Sequence, residues 1–202
     1  MSLNHPKLTS LLQRAYSAEK AAALAYIGNA GAVKKKMEKE ALKQIEDDEW
    51  HHRKKVLEIM EQYDIPISKF YEFKYYIIGK TIAFSCYIIG WFMPLFFASK
   101  LESGNVCEYF VMMLYFHELG IKEHDQDLYE MGIKEKEHED YFLEAIKDST
   151  FLPFFEKLFN WGRHKSYNDV ELKALRAVEE SGLYCRDYKA KKTHKETKRN
   201  SY

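Results

Sequence analysis

Six residues of this chain have the types and spacing to do chemistry together. Glu19 is the only acid in the first 37 residues, and it stands among Ala18, Ala21, Ala22, Ala23 and Leu24. A carboxylate on such an apolar helix is costly to bury unless it is paired or bound to a cation. Thirty residues later comes Glu49-Trp50-His51-His52, in which Glu49 and His52, three apart, point from one helix face toward a common point. His51 is one residue off that face and is left out of the set. The pattern then recurs. Glu108, the only acid between Glu102 and Glu118, lies among Val106, Phe110, Val111, Met112 and Met113, and 27 residues on Glu135-Lys136-Glu137-His138 supplies a second Glu-x-x-His. Each lone Glu is followed seven residues later by a tyrosine, Tyr26 and Tyr115, read as core rings whose hydroxyls back a ligand. Four carboxylates and two imidazoles are hard donors that suit iron or manganese, and no thiolate lies near enough in the pattern to suggest structural zinc.

Such a set needs rigid elements to aim it, and the chain reads as helical. Glycine and proline are scarce, 9 and 4 of 202 residues, and no run of alternating hydrophobicity demands a sheet. Hydrophobic content of 46% excludes a disordered chain, and 31 basic residues against 31 acidic ones advertise no nucleic-acid partner. Helix-former periodicity covers 8–30, 34–63, 105–119 and 121–148, so that each lone Glu sits on one helix and each Glu-x-x-His on the next. The residues therefore predict two copies of one helical hairpin. Four carboxylates and two imidazoles projected from four helices make the two-metal site of a ferritin-like bundle.

The sequence resembles the ferritin-like di-iron superfamily, and within it the demethoxyubiquinone hydroxylase and rubrerythrin-like branch, over residues 15–145. MEKEALKQIEDDEWHH is similar to that family's second helix, YEMGIKEKEHEDYF to its fourth, and YYIIGKTIAF…GWFMPLFFASKLE to its apolar connection. Glu19, Glu49, His52, Glu108, Glu135 and His138 match its six ligand positions one by one, Glu49 and Glu135 being the bridging ones. The resemblance implies two Fe ions (Mn being the alternative) and an O2-dependent hydroxylation or oxidation of a lipophilic, quinone-like substrate, with electrons from a reduced partner. Three rivals remain open: a rubrerythrin-like peroxidase, a non-catalytic iron-binding protein of the same fold, and a helical interaction module whose ligand set is accidental. The connection here is more aromatic than the family's, and residues 150–202 have no counterpart in it.

The expected architecture is thus all-α: a ferritin-like four-helix bundle over 1–148 with a long apolar crossover at 70–100, a C-terminal helical extension at 149–185, and a basic, disordered tail at 186–202. Thr81–Ala98 holds 18 residues without a charge. As one helix it would reach ~27 Å, short of a ~30 Å bilayer core, and Gly90 and Pro94 would interrupt it. A single span would also put the two hairpins on opposite sides of a membrane. The crossover is expected either buried in the bundle or a homodimer, or lying in a membrane interface through residues 75–98. Three cysteines without a C-x-x-C pair point to a reducing compartment, and Met1–Lys20 lacks a signal-peptide core. A cytoplasmic protein, peripheral on the inner face of the membrane in the second case, is expected.

Overall fold

The first helix shows how local signals start these elements. His5 caps it by accepting the Leu8 N–H on Nδ1 at 3.0 Å, and Pro6 occupies the first turn, where its missing N–H costs nothing. The computed structural model describes residues 3–159, all of whose regular elements are helices. They are α1 (Pro6–Ala32), α2 (Lys36–Gln62), α3 (Lys69–Cys86), α4 (Phe92–Glu118), α5 (Asp125–Ile146) and α6 (Leu152–Leu158). Of the expected C-terminal extension only α6 falls within this range; the rest of it, the basic tail and Cys185 lie outside the described residues.

Two compact units are distinguishable. Of the described residues, one takes in those up to Ala98 together with Tyr141–Ser149, and the other Ser99–Asp140 with 150–159. In the first unit α1 packs against both α2 and α3. The three residues between α1 and α2 leave room only for a reversal of direction. Small residues let α3 approach α1 closely. A Cβ on Gly28 would sit 2.4 Å from the Ala83 Cα, and one on Gly79 would sit 2.8 Å from the Ala21 Cα. Buried Leu42, Ile45, Val56, Ile59 and Met60 follow three- and four-residue steps along α2, and Glu49 and His52 occupy the middle of that same stripe. The helix ends in a left-handed residue, Asp64 (φ 56°), with the Ile65 N–H donating to the Met60 carbonyl at 2.9 Å.

The apolar stretch 70–100 is not one crossover helix. Gly90 (φ 77°) opens a turn between α3 and α4, and Pro94 falls in the first turn of α4, the one helical position where its ring and missing N–H are tolerated. Nor is α3 buried among the described residues: only Gly79 and Cys86 of that helix are buried, whereas Phe70 and Phe73 are each 70% exposed and Phe84 68%. Among the described residues no helix is long and apolar enough to cross a membrane.

In the second unit, α4 closes with Gly120 (φ 75°), whose N–H donates to the His117 carbonyl while the Ile121 N–H donates to that of Phe116. His117 Nε2 lies 2.8 and 2.9 Å from the two Asp125 carboxylate oxygens and ties the end of α4 to the start of α5. His124, buried against the Phe116 ring at 4.7 Å, is held below its usual pKa by burial, which outweighs the nearby acids Glu123, Asp127 and Asp125.

Candidate metal centre

Within the first unit, Glu19 on α1 and Glu49 and His52 on α2 come together. Each offers one ligand atom, and these atoms lie within 4.8 Å of one another; all three residues are buried. His51, one residue off the stripe, is exposed. The three-residue spacing of Glu49 and His52 works as the sequence suggests because both fall on the stripe that α2 turns inward. Tyr26, two turns beyond Glu19, is buried and stacks on Phe142 with ring centroids 5.5 Å apart, so its ring serves the core.

The flank of this triad is held by charge. Arg53, next to His52, donates from Nη1 and Nη2 to the two oxygens of Glu72 on α3, each at 3.0 Å, and Lys20, next to Glu19, adds its ammonium at 3.0 Å. The Arg53 guanidinium also lies 3.6 Å from the centre of the Tyr16 ring and donates to the Tyr16 carbonyl. Partial burial pushes the Glu72 carboxyl up, but the hydrogen bonds from Arg53, Lys20 and Ser17 prevail and hold it at about 2. One carboxylate thus links three helices beside the triad.

Within the second unit, Glu135 and His138 of α5 are buried, and their ligand atoms fall within 4.8 Å of each other and of Glu102 on α4. This grouping differs from the expected ligand set at one position. Glu108 is half-buried and belongs to neither group of potential ligands among the described residues, while Glu102 is 1% exposed. The reason is the length of α4, which begins at Phe92 rather than near Asn105, so that Ser99–Ser103 is helix interior instead of connecting loop. Ser99, Lys100, Glu102 and Ser103 are buried there while Leu101 is 49% exposed, an inversion of the usual pattern. A signal for it existed. Tyr109 stands seven residues after Glu102, as Tyr26 does after Glu19, and it is buried, whereas Tyr115 is half-buried. Asn105, one turn beyond Glu102, donates from Nδ2 to Glu102 Oε2 at 2.9 Å and to Glu135 Oε2 at 3.4 Å.

The donor chemistry of each triad fits a divalent cation. Two carboxylates no more than 4.8 Å apart repel by at least about 3 kcal/mol at an effective dielectric near 20, and removal from water adds to the cost. A 2+ ion between them turns the repulsion into net attraction and offsets the cost of desolvation. Two carboxylates and one imidazole, without a thiolate, favour iron or manganese over a structural zinc. Comparison with protein-family models, with curated proteins and with solved structures gives no match.

Proposed function

We propose that this chain is a di-iron carboxylate oxidoreductase with a ferritin-like four-helix bundle fold, each Glu/Glu/His triad holding one ion of the pair. The observation that carries the reading is the duplication: two buried triads with the same donor composition, one in each unit. Glu19, Glu49 and His52 would hold one ion, and Glu102, Glu135 and His138 the other. Iron bound there supplies one-electron redox chemistry toward O2. The residues of the chain orient the ions, keep bulk water from them and balance their charge, four carboxylates against two divalent cations.

The substrate we assign is lipophilic and quinone-like. The support is the exposed aromatic face of α3 and the turn after it, where Phe70, Phe73, Phe84, Tyr87 and Trp91 are each more than half exposed. A peroxidase needs no apolar route for its substrate, whereas such a surface suits an enzyme that works in the cytoplasm at the inner face of a membrane. Hydroxylation places one oxygen atom of O2 in the substrate and the other in water, consuming two electrons and two protons from a reduced donor. Anaerobic loading with Fe(II) followed by elemental analysis is expected to find about two Fe per chain, and O2 uptake should rise when a short-chain quinone is added together with a reductant. Absence of stoichiometric metal would refute the centre; metal without quinone-dependent O2 uptake would refute the substrate class alone.

A further inference from the structure

Asn105 has a place that neither the duplicated ligand pattern nor the composition accounts for. Its side-chain amide donates to the Oε2 atoms of both Glu102 and Glu135, at 2.9 and 3.4 Å, so one NH2 group spans the two carboxylates of the second triad. The orientation of the amide is not arbitrary: turned the other way, its carbonyl oxygen would face two carboxylates. Asn105 follows Glu102 by one helical turn on α4, so both project from the same face, and Glu135 comes to them from α5. The amide engages Oε2 of each carboxylate and does not itself occupy either Oε1. A neutral donor also lessens the repulsion between the carboxylates without adding a cation that would compete with the metal. The flanking support of the first triad is of another kind, the Arg53–Glu72–Lys20 cluster.

We infer that Asn105 is a positioning residue for the second ion: it sets the rotamers of Glu102 and Glu135 before metal arrives, so that the two triads bind their ions with unequal dependence on α4. The inference rests on the metal-centre reading above. A hydrogen bond behind a ligating carboxylate commonly contributes 10–100-fold in metal affinity, and that is the effect expected here.

Anaerobic titration of the full chain with Co(II), followed by visible absorption, tests it. Wild-type protein is expected to take up two ions. Asn105→Leu keeps the branched shape and removes both donors, and should bind one ion as wild type does and the other 10–100-fold more weakly. The absorption spectrum of the ion that remains should be unchanged. Because the amide acts through the carboxylates, combining Asn105→Leu with Glu102→Ala should cost much less than the sum of the two single changes. Should the leucine variant fail to fold, as judged by far-UV circular dichroism, Asn105→Ala carries the same expectation. Two ions bound by the variant with wild-type affinities, or full additivity with Glu102→Ala, would overturn the inference while leaving the metal centre standing. A wild-type chain that takes up no Co(II) would overturn both.

Discussion

The two triads share a donor set and differ in what holds it. Glu19, Glu49 and His52 have as their sequence neighbours Lys20 of α1 and Arg53 of α2, which Glu72 of α3 joins in an ion-pair cluster. Glu102, Glu135 and His138 are instead supported from within by the Asn105 amide, and the turn between their helices is tied by His117 and Asp125. The contrast teaches that ligand identity and ligand support are separable. Two sites for the same kind of ion would require the same donors twice, because the ion would dictate them. The means of aiming those donors is set by whatever the neighbouring helices offer, which is a third helix in one case and a polar residue one turn away in the other.

That contrast can be broken at the ligands themselves. Glu102→Ala is expected to abolish uptake of the second ion, at least 100-fold in affinity, and to leave the first intact, while Glu108→Ala leaves both intact. Equilibrium titration with Co(II) reads both outcomes, and equal losses would return Glu108 to the ligand set. A second change acts on the cost of assembling a triad. Glu49→Gln should remove the first ion yet stabilise the metal-free protein by about 1–3 kcal/mol near neutral pH, since it relieves part of the repulsion between two buried carboxylates. Thermal unfolding with and without Mn(II) measures it: the variant should unfold at higher temperature than wild type in chelator and gain less from added metal.

The smallest effect sharpens the difference in support. Glu72 is held at about 2 in the folded protein, against an ordinary value of 4.5. A carboxyl whose pKa is lowered by folding contributes stability that is present above the unfolded value and lost as the pH falls through the folded one. Wild type should therefore lose about 1–2 kcal/mol between pH 4.5 and 2, a figure reduced for solvent screening, that Glu72→Gln never has. Urea unfolding at a series of pH values gives the comparison. The same substitution should weaken the first ion severalfold and leave the second untouched.

Much of the candidate centre was legible in the sequence. Glu49 and His52 are readable because they fall on the three- and four-residue apolar stripe of α2, so a helix that buries Leu42, Ile45 and Val56 must carry them inward with the rest. Glu135 and His138 stand in the same relation to buried Leu128, Met131 and Phe142 on α5. Glu19 is readable because an acid among alanines on a helix buried nearly all round has nowhere polar to go. Proline and glycine mark the apolar stretch as two elements rather than one, once Pro94 is recognised as a helix start. The outward face of α3 was not legible, because aromatic residues on a helix look alike whether they meet a core or solvent.

The residue that local sequence leaves ambiguous is the lone acid of α4. Glu102 and Glu108 each precede a tyrosine by seven residues, and each can be joined to Glu135 by a helical hairpin, the two alternatives differing by six residues in where the helix faces inward. Six residues turn a helix by about 600°, so the two acids lie roughly 120° apart around α4 and only one can face the triad. Because α4 is apolar on nearly every side, its own periodicity does not choose between them. Packing does: it buries Glu102, Ser103 and Tyr109, leaves Leu101 outside, and brings Glu102 to Glu135, a relation between two helices that no stretch of one helix contains.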